Sequence, residues 1–396
     1  MSNPFSRSPN PEDDFWMGRA LELARRGTAL THPNPMVGSV VVRDEQIIGE
    51  GFHTWEGVDH AEVHALEKAG AAARGATLYV TLEPCCHTGR TAPCTKSIMA
   101  AGISRVVAAM RDPNPRVAGR GLRELRRGGV EVVSGVRETE AKTLNEDFAC
   151  WIRLHRPMVT LKSAATVDGQ IAARDGSATW ITSEKSRDEV QELRHAADAL
   201  LTGIGTVLAD NPNLTDRSGK PRRRPLLRVV LDSRLRLPLK SKLVKDSTGD
   251  VLVFTAQSPD SPKARALRKA GIEVVHVDMP PEAGNATRGV RRAARGVELQ
   301  AVIGELARRE VLGVLLEAGA ELNGAALRAG IVDKLVLFLA PKILGGGHVP
   351  IARSFSTRIG DAPLLEFSRL RFSGPDAVLE GYFRDVYGDN SKRRKN

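Results

Sequence analysis

The stretch H-A-E at residues 60–62, followed by P-C-C-H-T-G-R-T-A-P-C at residues 84–94, decides the fold of this chain. A histidine imidazole and two cysteine thiolates are three of the four ligands of a tetrahedral zinc ion. Three protein ligands leave the fourth position to water, which is the arrangement of a catalytic rather than a structural zinc site. We therefore predict one Zn²⁺ per chain, held by His60, Cys85 and Cys94.

Glu62 lies two residues after His60 and is the predicted proton carrier of this centre. Zinc lowers the pKa of its bound water, so that hydroxide is available near neutral pH. The hydroxide would attack a ring carbon that carries an exocyclic amine, while Glu62 acts as general base and then as general acid toward the departing ammonia. The order H-x-E and then P-C is typical of zinc nucleobase deaminases.

Each part of this pattern also has a plain structural interpretation. An H-x-E triplet is common in a chain with nine histidines, and buried free cysteines often act as small hydrophobic residues. The combination favours a zinc site, because both cysteines follow proline and lie downstream of the triplet. Cys86 is a competing ligand, and Cys85 is preferred because it keeps the Pro-Cys context.

Composition bounds the class of protein. The chain has 396 residues, of which 41% are hydrophobic, and this predicts two or three domains with real cores. No run of 18 apolar residues exists, and the N-terminus lacks the basic-then-apolar order of a signal peptide. Three of the four cysteines fall within ten residues, which predicts metal binding in a reducing cytoplasm rather than disulfides.

The net charge of +11 is unevenly distributed along the chain. Residues 1–150 contain 18 Lys and Arg against 19 Asp and Glu, whereas the remainder contains 40 against 28. A deaminase of nucleic acids needs a basic surface around its zinc half. The distribution therefore favours a small phosphorylated substrate, and we expect neither a nucleic-acid nor a membrane partner. A homo-oligomer is expected.

A βαβ rhythm on both sides of Arg156-Pro157 predicts two α/β domains. We expect Asp13 or Asp14 to cap a first helix that runs to about Arg26, and a single helix over Thr139–Trp151. The predicted segments are a disordered N-terminus at 1–12, a deaminase domain at 13–152, a second α/β domain at 157–386 and a basic disordered tail at 387–396, with a surface excursion at 278–295.

Several longer strings show a family resemblance. Besides the stretch at 84–94, they are H-P-N-P-M-V-G at 32–38, D-P-N-P-R-V-A-G-R-G at 112–121, L-K-S-A-A-T-V-D-G at 161–169, W-I-T-S at 180–183, T-V-L-A-D-N-P-N-L-T at 206–215, L-D-S at 231–233, E-A-G at 317–319 and A-P-K-I-L-G-G at 340–346. Together they resemble the bifunctional riboflavin-biosynthesis deaminase/reductase family over about residues 14–385. The second cysteine is the ninth residue after the first, which fits this family better than deaminases whose second cysteine follows closely.

The resemblance implies an N-terminal cytidine-deaminase-like three-layer domain and a C-terminal domain similar to dihydrofolate reductase. The first would replace the 2-amino group of a ribosylaminopyrimidinone 5′-phosphate with oxygen. The second would use NADPH to reduce the ribosyl group to ribityl. The resemblance implies the same zinc ligands and proton carrier, and it adds four residues that would line the pyrimidine and phosphate site, namely Asn34, His53, His87 and Arg90.

The resemblance also implies residues of the reductase site. NADPH would be bordered by Ala164, Trp180, Thr206, Asp210, Ser233 and the Glu317–Gly319 loop. The substrate ribose phosphate would be held by Arg194, Leu214, Arg217 and Glu317, and Lys162 and Asp168 would orient the sugar unless they are surface or capping residues. Ala178 departs from the family's usual serine, so that Ser177 or Thr179 would have to replace one substrate hydrogen bond.

From the residues alone the second half is less informative. Gly203-Ile204-Gly205 resembles the start of G-x-G-x-x-G, but Leu208 occupies the third glycine position and the dinucleotide fingerprint fails. Two alternatives therefore stay open: a deaminase whose reductase-like half is inactive, and a nucleic-acid-editing deaminase with a basic accessory domain.

Overall fold

The computed structural model describes residues 10–57, 59–87, 92–173, 180–278, 296–353 and 358–388. The chain divides into two compact units, one formed by 1–154 with 221–223 and one by 155–220 with 224–396. The predicted disordered N-terminus falls outside the described residues except for its last three, and the basic tail except for its first two. Most of the predicted excursion at 278–295 also lies outside them. Among the described helices, none combines the length and apolar character needed to cross a bilayer.

The first unit alternates helices and strands. Its helices are α1 (Pro11–Arg25), α2 (Ala61–Ala69), α3 (Cys94–Ala100), α4 (Arg120–Arg127), α5 (Glu138–Leu144) and α6 (Glu146–Leu154), with a 3-10 turn at Gly70–Ala73; its strands are β1 (Gly38–Arg43), β2 (Gln46–Phe52), β3 (Thr77–Val80), β4 (Arg105–Ala108) and β5 (Glu131–Ser134). The strands form one sheet in the order β2-β1-β3-β4-β5. The β1/β2 and β1/β3 pairs are antiparallel, and β3, β4 and β5 run parallel.

The first helix begins earlier than predicted. Asn10 is its N-cap, and its side chain accepts the backbone N–H of Glu12. The expected cap at Asp13 or Asp14 is wrong, because the Asp13 carboxylate is buried and pairs with Arg105 at 2.7 Å. Pro11 at the first helical position suits this start, since its missing N–H has no partner to lose there.

The predicted helix over Thr139–Trp151 is two helices that meet at Asn145. The Asn145 side chain accepts the backbone N–H of Met36 at 2.8 Å and donates to the Met36 carbonyl at 2.9 Å. Asn145 ends α5 with non-helical dihedral angles. The break between the two helices therefore allows Asn145 to contact the loop before β1. Helical periodicity in the sequence cannot reveal a contact between residues so far apart in the chain.

The second unit is larger. Its strands are β6 (Met158–Thr166), β7 (Gln170–Ala172), β8 (Ala199–Gly203), β9 (Leu227–Leu231), β10 (Val251–Thr255), β11 (Glu273–His276), β12 (Gly313–Leu316), β13 (Lys334–Ala340), β14 (Val349–Pro350), β15 (Glu366–Ser373) and β16 (Asp376–Tyr382); its helices are α7 (Glu184–Ala196), α8 (Ile204–Asp210), α9 (Lys242–Lys245), α10 (Pro262–Lys269), α11 (Leu299–Arg308) and α12 (Ala320–Arg328), with a 3-10 turn at Ile359–Asp361.

Nine of these strands form one sheet in the order β11-β10-β9-β8-β12-β6-β13-β16-β15, and β7 pairs with β14. In this order, the seven strands from β11 through β13 are parallel to one another. The β15–β16 hairpin forms one edge of the sheet, and β16 pairs with β13 in antiparallel fashion. Neighbouring residues such as Leu200 and Leu201 belong to different hydrophobic clusters, so both faces of the sheet are covered. That burial explains the continuous apolar runs of the parallel strands.

Strand β12 lies between β8 and β6, although it follows β11 in the chain. The order of strands in the sheet therefore departs from their order in the chain at this point, which is called a topological switch point. Ligands of open parallel sheets bind at the carboxyl ends of the strands at such a point. Both units are α/β, as predicted from the sequence.

Candidate active sites

The start of α2 presents His60 and Glu62. His60 is the N-cap residue with extended backbone angles, and the helix proper begins at Ala61. The helix packs closely on the sheet, because a Cβ at Gly51 would lie 2.3 Å from the Ala61 carbonyl oxygen. This contact holds the first turn of α2 against β2, and Glu62 is buried there with 3% of its surface exposed.

The two cysteines converge on His60 from β3 and α3. Cys85 lies in the segment that leaves β3, and Cys94 is the first residue of α3. The Nδ1 atom of His60 lies 3.1 Å from the Cys94 Sγ and 3.6 Å from the Cys85 Sγ. All three ligand atoms lie within 4.8 Å of one another.

These distances fit a zinc ion. Zn–N and Zn–S bonds of about 2.0 and 2.3 Å in a tetrahedron separate neighbouring ligand atoms by roughly 3.5–3.8 Å. One nitrogen and two sulfur donors match the preference of zinc, and three ligands leave a position for a reacting molecule. The structure thus brings together the three predicted ligands, whereas Cys86 lies outside this group.

Hydrogen bonds polarise this cluster. A hydrogen bond from the Cys94 thiol, followed by one from His60, lowers the pKa of Cys85 to about 4. The bond to Cys85 raises the pKa of His60 to about 8. Burial raises the pKa of Glu62 above its ordinary value, and the charge of His60 opposes this only in part, which favours a carboxyl group that exchanges protons readily.

Asn34 and His53 form a second polar group in the first unit. The Asn34 amide donates to His53 Nε2 at 3.0 Å, so His53 Nδ1 carries the proton and donates to the Asp59 carbonyl at 3.2 Å. Burial lowers the pKa of His53, in agreement with a neutral ring. The His53 and His60 rings lie edge to face with centroids 5.6 Å apart. Asn34 and His53, both predicted to contact the substrate, therefore lie on the same side as the predicted zinc ligand His60.

His87 is exposed just after Cys86 and lines a cavity with it. Arg90, the fourth residue predicted to line this site, lies outside the described residues. Burial raises the pKa of the Cys86 thiol, which favours the neutral thiol rather than a metal-binding thiolate.

Glu83 is a residue of this site that the sequence did not indicate. Its carboxylate is buried and accepts backbone N–H groups from Gly119 at 2.7 Å and from Gly121 at 2.9 Å. It thereby caps α4 and fixes the segment that carries Cys85. A glutamate at a strand end has no sequence signal of its own, because its partners lie 36 and 38 residues away.

In the second unit, Arg194 and Glu317 form a bidentate ion pair. The Arg194 Nε and Nη2 atoms donate to the two Glu317 oxygens, both at 2.8 Å, and Nη1 donates to the Thr215 carbonyl at 3.0 Å. Burial alone would raise the pKa of Glu317, but the bonds from Arg194 and the charge of Lys162 lower it. Burial lowers the pKa of Lys162 on β6. The three predicted residues therefore share one charged cluster.

The residues predicted to border the cofactor lie on several elements of the second unit. Ala164 is on β6, Thr206 and Asp210 are on α8, Ser233 follows β9, Gly319 is the N-cap of α12, and Trp180 is 71% exposed with the Arg187 guanidinium 4.7 Å from its ring centroid. A Cβ at Gly319 would meet nothing within 4 Å, and no side chain caps α12. The free N–H groups of its first turn suit the phosphates of a nicotinamide cofactor.

The remaining residues predicted for the reductase substrate site differ in whether their side chains can reach a ligand. The Leu214 side chain is buried in a hydrophobic cluster, which leaves only its backbone for a ligand, whereas Arg217 is exposed. Asp168 accepts the Thr166 hydroxyl at 2.6 Å and the Gly345 N–H at 2.7 Å. These bonds favour a role in holding the local backbone over the alternative role of orienting the substrate sugar. Ala178 and its neighbours Ser177 and Thr179 lie outside the described residues.

Family models match both units. The model of the cytidine and deoxycytidylate deaminase zinc-binding region matches residues 10–110, and the RibD C-terminal domain model matches residues 157–379. Together they confirm the predicted fold class, and they imply zinc and a nicotinamide cofactor. The domain boundaries and the roles of single site residues stay predictions.

Relatives match nearly the whole chain. The riboflavin biosynthesis protein RibD of Escherichia coli is 40% identical over 93% of this chain and 98% of its own length. That of Bacillus amyloliquefaciens is 39% identical over 94% and 97%. The solved structure of a Thermotoga maritima diaminohydroxyphosphoribosylaminopyrimidine deaminase/5-amino-6-(5-phosphoribosylamino)uracil reductase is 36% identical, with a TM-score of 0.78 over 94% of this chain and 98% of its own. These matches confirm the resemblance: the chain belongs to the riboflavin biosynthesis protein RibD family.

Proposed function

We propose that this protein catalyses two successive steps of riboflavin biosynthesis. The first is the hydrolytic deamination of 2,5-diamino-6-(5-phospho-ribosylamino)pyrimidin-4(3H)-one. The second is the NADPH-dependent reduction of 5-amino-6-(5-phosphoribosylamino)uracil to the ribitylamino product. The convergence of His60, Cys85 and Cys94 beside the buried Glu62 carries the proposal for the first step, and the deaminase and reductase activities named for the Thermotoga maritima relative support both steps.

In the deaminase half, His60, Cys85 and Cys94 would hold zinc, which when bound supplies Lewis acidity at neutral pH. Glu62 would take a proton from the attacking water and return protons to the ring nitrogen and the leaving amine. Asn34 and the neutral His53 would bind the edge of the pyrimidine through hydrogen bonds. Because Glu62 is buried, its proton transfers would be shielded from bulk water.

In the reductase half, NADPH would supply the hydride. Arg194 and Glu317 would hold the ribose phosphate portion of the substrate, with Arg217 and the backbone of Leu214 alongside. Lys162, whose lowered pKa makes its proton easier to release, would orient the sugar and hold a proton near it. Gly319 and the first turn of α12 would bind cofactor phosphate.

The two activities are tested separately in the full chain. Wild-type protein is analysed for zinc by mass spectrometry and incubated with the diaminopyrimidinone phosphate, and we expect bound zinc and a product of the deaminated mass. The E62Q variant is then given the already deaminated substrate and NADPH. Oxidation of NADPH is expected, and its absence would favour the alternative of an inactive reductase-like half. NADH in place of NADPH tests the choice of cofactor.

We further propose that the enzyme works in the cytoplasm as a homo-oligomer on a small phosphorylated pyrimidine. The thiols of Cys85 and Cys94 must stay reduced to bind metal, which a reducing compartment ensures. Sedimentation of the zinc-loaded protein measures the oligomeric state, and a monomer at all accessible concentrations would contradict the second part of this proposal.

A further inference from the structure

An arginine-lined cavity lies at one end of the Cys85-Cys86 segment in the first unit. Its volume is about 450 Å³. Four of its lining residues are Arg116, Arg120, Arg123 and Arg127, and Cys86 and His87 also border it. The last three arginines lie on α4 at spacings of three and four residues, so they share one face of that helix.

Positive charge exceeds negative charge among the described residues that line this cavity. Glu124 is the single carboxylate among the lining residues, and its Oε1 accepts the Thr95 hydroxyl at 2.8 Å. Within the described ranges, none of the four guanidinium groups forms a hydrogen bond or an ion pair. Like charges at these spacings repel one another along the helix. The alternative is that these arginines form an ordinary solvated helix face. That alternative explains why they are exposed, but it does not explain why all four line one cavity.

The arginine face is held firmly beside the deaminase centre. Glu83 accepts N–H groups of Gly119, Gly121 and Leu122 and so fixes the start of α4. A Cβ at Gly121 would lie 2.0 Å from the Pro84 carbonyl oxygen, so helix and segment are in direct backbone contact. The backbone that carries three of the arginines therefore keeps its position relative to Cys85, and their exposed guanidinium groups extend from it.

We propose that this cavity binds a phosphomonoester dianion. Arginine is the side chain that best matches phosphate oxygens, since its planar fork donates two parallel hydrogen bonds. Four guanidinium groups against one engaged carboxylate favour a doubly charged ligand over a carboxylate. The ligand is either the 5′-phosphate of the deaminase substrate, an assignment that rests on the proposed function, or a separate phosphorylated molecule.

The test compares neighbouring arginines of α4. In R127Q a cavity arginine is replaced, whereas R126Q removes the same charge from an exposed arginine whose Nη2 donates to the Val132 carbonyl outside the cavity. Binding of ribose 5-phosphate to full-length, zinc-loaded protein is measured by calorimetry at low salt. We expect the affinity to fall about tenfold in R127Q and to change less than twofold in R126Q, because one charge-assisted contact is worth roughly that factor.

Kinetics then distinguish the two sources of the phosphate. If the substrate's own phosphate occupies the cavity, R127Q raises the deaminase KM for the phosphorylated substrate with little change in kcat, and it leaves the dephosphorylated substrate unaffected. If a separate molecule binds, the calorimetric loss is seen without a change in KM. Equal binding by R126Q and R127Q overturns the proposal. Calorimetry needs no turnover, so failure of the proposed deamination would leave this result interpretable.

Discussion

The carboxylate of Glu83 lies 2.9 Å from the backbone nitrogen of Gly121 and accepts its N–H. The same side chain accepts the N–H groups of Gly119 at 2.7 Å and of Asp112 at 3.2 Å. With the N–H of Leu122, this one buried side chain binds four backbone N–H groups. Because Cys85 lies two residues after Glu83, the position of a predicted metal ligand depends on a residue outside the group His60, Cys85 and Cys94.

We expect E83Q to lose zinc more readily than wild type. The glutamine NH₂ group would oppose a backbone N–H, and the loss of charge-assisted bonds should cost roughly 2–3 kcal/mol of the free energy of unfolding. Zinc release to a chelator and the unfolding midpoint are measured together. E45Q, at an exposed position in the β1–β2 turn, is the control and should behave as wild type. Unchanged zinc retention in E83Q would refute the positioning role.

The E62Q variant should keep zinc and lose deamination. The carboxylate is not one of the three clustered ligands, and general acid–base catalysis contributes about 10²- to 10⁴-fold. Metal content by mass spectrometry and product mass measure the two effects. Reduction of the deaminated substrate serves as the internal control and should be unchanged. Loss of metal from E62Q would instead make Glu62 a ligand.

Replacing the cysteines one at a time separates Cys85 from Cys86. We expect C85S to lower zinc content to well below one ion per chain, because a thiolate ligand is removed. C86S should retain zinc, since Cys86 lies outside the ligand cluster. The opposite result, an empty site in C86S and a full one in C85S, would show that the ligand assignment is wrong.

The Arg194–Glu317 pair should matter to reduction and not to deamination. Lysine cannot reproduce the two parallel bonds of Arg194, so R194K should raise the reductase KM about tenfold. R224K is the matched control, because Arg224 pairs with Glu310 at the exposed surface. Initial rates of NADPH oxidation measure both variants. An equal KM for R194K and wild type would remove Arg194 from the proposed substrate site.

The buried pair of Asp13 and Arg105 predicts a pH dependence of stability. Burial alone would raise the pKa of Asp13, but hydrogen bonds from Arg105 and Tyr79 lower it below its unfolded value. Its contribution is therefore fully present above about pH 4 and is lost as the pH falls through the lower folded pKa. At neutral pH, D13N should cost roughly 2–4 kcal/mol.

The difference between D13N and wild type should shrink as the pH falls below about 4, because protonation leaves Asp13 of the wild type as uncharged as the asparagine that replaces it. Denaturant midpoints across this range measure it. D44N, which removes an exposed carboxylate 3.7 Å from Arg43, is the control. A difference that stays constant down to about pH 3 would contradict the lowered pKa of Asp13.

Sequence patterns identified both α/β units because apolar periodicity and turn residues are local properties. They failed where a distant partner decides the local structure. The break at Asn145 depends on Met36, and the N-terminal cap shifts to Asn10 because Asp13 pairs with Arg105. The β15–β16 hairpin was not predicted, and it is held by pairing of β16 with β13 at the edge of the sheet.

By itself, the sequence determined the chemistry that this protein carries: a histidine and two cysteines near a glutamate, and the strings that place the chain in its family. These residues and strings are recognised by their order and spacing in the sequence, so no coordinates are needed to find them. Tertiary structure alone decided that Glu83 holds the ligand segment, that Arg194 pairs with Glu317, and that four arginines surround one cavity. Such relationships arise between residues that are distant in the chain, and only the packing of helices against sheets brings them within bonding distance.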